Sequence, residues 1–230
     1  MNKHNQEVTA KMITGCETGG QVYGSGRWGD VKKPEIGLEV TLTLGAFQFY
    51  GNEGRQLMKM IFDWADQNGL QFNRYEELRS CLSFDWVSKR WVPDAIDRHL
   101  ISDLISSDIG RSKQTELFCE IQLPAYIKRA EEFGVYEDKA QMMWVEIEHV
   151  GGLKAAKRIF ARCNGDYSLD KIMWSLKQDQ NDYSSDNQSG DRLYWSRHVF
   201  CRECIEKYYV SDDMSPHVVP DNFDGVYVVV

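Results

Sequence analysis

From Leu38 to Leu44 the chain alternates without a break, with Leu38, Val40, Leu42 and Leu44 on one parity and Glu39, Thr41 and Thr43 on the other. A period of two sends successive side chains to opposite faces. The pattern therefore predicts a half-buried strand with its leucines inward and Thr41 and Thr43 on the polar face. Six glycines lie between Gly19 and Gly37, and Lys32-Lys33-Pro34-Glu35 reads as a turn. Together these predict a small hairpin whose second arm is the alternating segment.

Elsewhere the apolar positions recur at helical spacing. Val8 to Cys16 predicts a short helix stopped by the paired glycines Gly19 and Gly20. Leu57, Ile61, Trp64 and Ala65 predict a second helix, opening near Gln48 and ending at Asn68-Gly69. Further amphipathic stretches predict helices over Ala95–Ser106, Ser112–Ile121, Ala125–Phe133, Asp138–His149, Leu153–Cys163, Leu169–Gln178 and Arg192–Tyr209. Pro93, Pro124 and Gly151-Gly152 separate them, and Asp182 to Asp191 reads as a polar loop. No internal repeat or long linker interrupts the chain. The expected architecture is one mostly helical α+β domain over residues 1–210, followed by a short tail, 211–230.

Composition narrows the function. The chain has 230 residues, of which 42% are hydrophobic and 27% charged, enough to bury a sizeable core. Its net charge of −8 argues against nucleic acid as a partner, because such binding depends on neutralising phosphates with Lys and Arg. No apolar run approaches the roughly 20 residues of a membrane span. Met1 to Glu7 is polar and lacks an apolar signal segment, so the expected site of synthesis is a cytoplasm. In that reducing setting the six cysteines are expected as free thiols.

Glu17 is the residue with the clearest chemical promise. A carboxyl at the C-terminal end of a helix faces the negative end of the dipole, which with partial burial disfavours ionisation. A general acid for glycoside cleavage needs that property. Position alone does not distinguish it from an inert, solvated helix-end glutamate.

Cys16-Glu17-Thr18-Gly19-Gly20, the glycine-rich hairpin and Thr43-Leu44-Gly45-Ala46-Phe47-Gln48-Phe49-Tyr50-Gly51 resemble the N-terminal lobe of phage and prophage muralytic domains in the lysozyme-like superfamily. Ser107-Asp108-Ile109-Gly110 with Gln114, and Tyr126-Ile127, resemble the family's middle helices. Glu146-Ile147-Glu148-His149-Val150-Gly151-Gly152 is similar to a stretch that usually reads Asp-Ile-Glu-Asn-x-Gly-Gly. The resemblance spans about Val8 to Tyr209. It implies a small lobe bearing the hairpin, a larger helical lobe and a cleft between them. The implied reaction is hydrolysis of β-1,4 bonds in bacterial peptidoglycan, on the N-acetylmuramic acid side, with no cofactor and no metal. A phage endolysin or tail lysin, released through a holin or delivered by a virion, is the implied setting.

Carried onto this chain, the resemblance makes Glu17 the general acid. Thr43 would hold the attacking water, and Gln48 and Tyr50 would contact sugar hydroxyls. His149 would line the cleft where the family has a polar residue. By residue type alone, a solvent-facing strand threonine, a helix-capping glutamine, a packed tyrosine and a buried, hydrogen-bonded histidine are readings of at least equal merit. Hydrolysis also needs a base or nucleophile. Related enzymes carry an Asp near the position of Leu38 here, so the candidates become Asp30 and Glu39. A turn around Pro34 would set these two acids facing each other, with Asp30 preferred. A lytic transglycosylase, a chitosanase-like enzyme and an inactive wall-binding module remain alternatives.

Two further patterns have plainer explanations. Cys201-Arg202-Glu203-Cys204 is a lone CxxC with His198 one turn earlier. Structural zinc commonly uses two such pairs, so two thiols on a helix is the expected arrangement. Lys154, Arg158 and Arg162 share one helix face with Lys157 beside them, suiting either an anionic polymer or solvent.

Overall fold

The computed structural model describes residues 1–16, 26–33, 41–71, 74–87, 95–183 and 191–211. In chain order the elements are α1 (Lys3–Cys16), β1 (Val31–Lys32), β2 (Thr43–Leu44), β3 (Phe49–Tyr50), α2 (Asn52–Gln67), α3 (Tyr75–Arg79), α4 (Ala95–Ser106), α5 (Asp108–Leu117), α6 (Leu123–Phe133), α7 (Asp138–Arg162), α8 (Leu169–Tyr183) and α9 (Asp191–Tyr208). A 3-10 turn, Ser80–Ser83, follows α3, and a π turn, Phe118–Gln122, joins α5 to α6. The protein is thus mostly helical with a small antiparallel sheet, an α+β composition. No helix among the described residues is long and apolar enough to cross a membrane.

The helical spacings were read correctly in most places, because amphipathic periodicity is a local property. The helix expected over Ala95–Ser106 occupies those residues, and the first helix ends at Cys16 as expected but begins five residues earlier, at Lys3. The helices expected over Asp138–His149 and Leu153–Cys163 lie within α7 as two helical stretches on either side of a kink. Gly152, at φ 74° and ψ 170°, is non-helical and breaks α7 at that kink, a conformation that glycine adopts at little cost. α3 carried no recognisable signal, being only five residues long. The polar loop after Tyr183 and the tail from residue 212 lie largely outside the described residues.

The contacts gather into two compact units, residues 1–25 with 119–230, and residues 26–118. In the second unit the sheet has the order β1-β2-β3, both pairs antiparallel. α2 covers it with an apolar stripe of Leu57, Met58, Ile61, Phe62 and Ala65, all buried. Phe47 centres this core, stacked on Phe118 at 4.4 Å and edge-on to Trp28 at 6.1 Å. Offset and edge-to-face pairs of this kind stabilise beyond the area they bury.

The first unit is a helical bundle around α7, whose inward residues Met142, Met143, Trp144, Ile147 and Phe160 are buried. α1, α6, α8 and α9 pack against it. The two arginines of the basic stripe on α7 are paired within this bundle. Arg158 makes a two-pronged contact with Asp179 of α8 at 2.7 and 2.8 Å, and Arg162 reaches Asp179 and Asp182.

Candidate active site

The loop between β2 and β3 is a four-residue turn, Gly45-Ala46-Phe47-Gln48, closed by the Gln48 amide donating to the Gly45 carbonyl at 3.2 Å. Gly45 sits at φ 72° and Gln48 at φ 55°. A left-handed glutamine is strained backbone, held here by its surroundings. Phe47, between the two, is anchored in the core.

This conformation turns the Gln48 side chain back on its own hairpin. Its amide nitrogen donates to the Gly45 carbonyl at 2.9 Å and to a carboxylate oxygen of Asp30 at 3.4 Å. Its carbonyl oxygen accepts from the Lys32 ammonium, which lies 3.6 Å from the same Asp30 oxygen. Asp30, Lys32 and Gln48 therefore form one polar cluster at the sheet edge, with the Asp30 side chain 16% exposed.

A buried glutamine holds the backbone beneath this cluster. The Gln114 side-chain carbonyl accepts from the Ala46 amide at 2.9 Å, and its NH2 group donates to the carbonyls of Trp28 and Ile105 at 3.0 and 2.8 Å. Ser102 adds a hydroxyl bond to the Gly29 carbonyl at 2.6 Å. The two segments carrying Asp30 and Gln48 are thus fixed by side chains of α4 and α5. Gln114 was noticed in the sequence only as part of a resemblance, because nothing local says what a glutamine will span.

The strand register revises two expectations. Val31 is opposite Leu44 and Lys32 opposite Thr43, and the Gly45 amide donates to the Asp30 carbonyl at 2.8 Å. Gly45 is therefore the cross-strand neighbour of Asp30, in the place that a turn at Pro34 assigned to Glu39, and Glu39 itself lies outside the described residues. The second revision concerns the polar face. Thr43 is opposite both Lys32 and Tyr50, so these three share one side of the sheet, while Leu44 and Phe49 enter the core. Yet Thr41 and Thr43 are buried along with Leu42 and Leu44. The alternation sorted the faces, but the two threonines of the second face are covered as well. Tyr50, 37% exposed, remains open to solvent.

Glu17 and Glu39 lie outside the described residues. α1 ends at Cys16, the residue before Glu17. His149 belongs to the other unit, where its Nδ1 is 3.2 Å from the Tyr126 hydroxyl, a half-buried and hydrogen-bonded ring.

Two carboxylates next to His149 in sequence, Glu146 and Glu148, are buried. Glu148 accepts from Arg129 at 2.5 Å and from the Trp144 indole at 2.7 Å. Glu146 is fully buried and accepts from Arg197 Nε at 2.6 Å, with His198 Nδ1 at 2.7 Å from its other oxygen. Burial alone would push the Glu146 carboxyl up, but the His198 and Arg197 charges and hydrogen bonds overturn that and hold it at about 2. Glu146, an acid inside the apolar run Met142–Ile147, is the available signal for such a cluster, since buried charges require partners. Compared with known proteins, the chain matches no family model, no curated protein and no solved structure.

Proposed function

We propose that this chain is a lysozyme-like glycoside hydrolase that cleaves β-1,4 bonds of bacterial peptidoglycan. Glu17 protonates the leaving glycosidic oxygen, and Asp30 serves as the second carboxylate. The observation that carries this reading is the grip on Asp30. A strained glutamine, a lysine and a buried amide brace jointly hold one carboxylate at the edge of a sheet. Pre-positioning of this kind is what a base or nucleophile requires, because small displacements at a reacting group are costly in rate.

The same geometry refines the roles. Gln48 has its side chain committed to Asp30, Lys32 and Gly45, so it positions the carboxylate instead of contacting sugar. Tyr50, half-exposed on the row of Lys32 and Thr43, is the residue to stack on or hydrogen-bond a sugar ring. Support for Glu17 comes from α1 ending one residue before it, beside the negative end of the helix dipole.

The test is release of soluble sugar from purified Gram-positive walls by wild type, Glu17→Gln and Asp30→Asn. Hydrolysis through both carboxyls predicts losses of about 100-fold or more in each variant. Anhydro-sugar products with Asp30→Asn still active would indicate a transglycosylase, which needs no second acid. Chitosan cleavage without wall clearance would assign the cationic polymer as substrate. Wall binding without any sugar release in wild type would reduce the protein to an inactive module.

A further inference from the structure

The end of α1 meets the middle of α9 through sulfur. Cys16 Sγ and Cys201 Sγ are 3.2 Å apart, although 185 positions separate them in sequence. Both thiols are free, and Cys16 is only 6% exposed while Cys201 is wholly buried. Cys204, one turn further along α9, is buried too. A Glu146 oxygen completes the group, lying within 4.8 Å of both contacting sulfurs.

Two chemistries could use such a group, a soft metal ion or a sulfur–sulfur bond. Each Glu146 oxygen already faces a basic partner, Arg197 or His198. A cation placed at the carboxylate would meet the guanidinium. Cys16, Cys201 and Glu146 also make a set of three ligands, whereas structural zinc takes four. The sulfurs, by contrast, are already in contact and need only close by about an ångström to reach bonding distance.

We propose that Cys16 and Cys201 are an oxidative modification site that closes to a disulfide tying the end of α1 to α9. The oxidant is a small peroxide, able to reach a nearly buried thiol. One thiolate attacks a peroxide oxygen, giving a sulfenic acid and hydroxide. The second thiol then displaces hydroxide from that sulfur, so two thiols and one hydrogen peroxide become one disulfide and two waters. Burial, with Cys16 and Glu146 beside it, raises the Cys201 thiol well above its ordinary range. Attack by Cys201 is therefore slow near neutral pH and speeds up as pH rises. The cross-link stands independently of the glycosidase reading.

The test is to treat folded, reduced wild-type protein with dilute hydrogen peroxide, quench with catalase, then block free thiols in denaturant and map peptides without reduction. The expected result is loss of two of the six thiols, with the peptide containing Cys16 joined to that containing Cys201. Cys204→Ala should retain this link, and Cys201→Ala should lose it. Three results overturn the proposal: six alkylatable thiols after oxidation, a link between other cysteines, or stoichiometric zinc in protein purified without chelator. The wild-type peptide map decides even if a variant fails to fold.

Discussion

A β-carbon on Gly45 would overlap the side-chain carbonyl of Gln114. The two residues are 69 positions apart, and the fit between them shapes the turn that carries Gln48. Gly45 is also at φ 72°, where any other side chain is strained.

Gly45→Ala is therefore expected to cost about 2–4 kcal/mol, from left-handed strain plus displacement of Gln114. Gln114→Ala removes the clash but leaves the Ala46 amide and two buried carbonyls without their partner, a loss of roughly 2–4 kcal/mol. Urea denaturation measures both. The double variant should be less destabilised than the sum of the two, because the residues share one contact. Strict additivity would show that the coupling is absent.

Gln48 allows backbone and side chain to be separated. Glycine at this position relieves the strain at φ 55° but deletes the hold on Asp30. Gln48→Gly should keep stability within about 1 kcal/mol of wild type. On the proposed mechanism, wall hydrolysis should still fall by roughly 10–100-fold. Unchanged hydrolysis would remove Gln48 from any positioning role.

Glu146 predicts a specific acid sensitivity. Its carboxyl is depressed to about 2 from an ordinary 4.5, so its contribution is fully present above the unfolded value. That contribution is lost as pH falls from about 4.5 through 2, and linkage puts it at roughly 3 kcal/mol. Glu146→Gln should flatten that part of the stability–pH curve. At neutral pH it should destabilise by about 3–5 kcal/mol, because Arg197 is left buried beside a neutral amide. Thermal melts across pH 2–7 in both proteins provide the comparison.

Phe47 offers an apolar control. It is fully buried and contacts Trp28, Phe49 and Phe118. Phe47→Ala should cost about 3–5 kcal/mol, and Phe47→Leu markedly less. Equal losses would mean that volume does not dominate at this site.

Much of the helical framework was legible beforehand because an amphipathic stripe repeats within a few residues. The stop at Cys16 and the run Ala95–Ser106 needed no distant partner to be read. The candidate site was legible only in part. Asp30, Thr43, Gln48 and Tyr50 form a group in the sequence reading, and all four lie on or beside the three-stranded sheet. Glu146 has no local mark of its role, because its partners, Arg197 and His198, sit 51 and 52 residues away.

Local sequence, then, settled where most helices run, which face of the hairpin carries leucine and which residue types could perform acid–base chemistry. Those properties depend on backbone periodicity and side-chain chemistry over a few neighbouring positions. Only the tertiary structure decided that Asp30 pairs beside Gly45, that Thr43 is buried, and that Cys16 touches Cys201. Register, burial of a second face and contact across 185 positions arise from packing between distant segments. No short window of sequence contains both halves of such a contact.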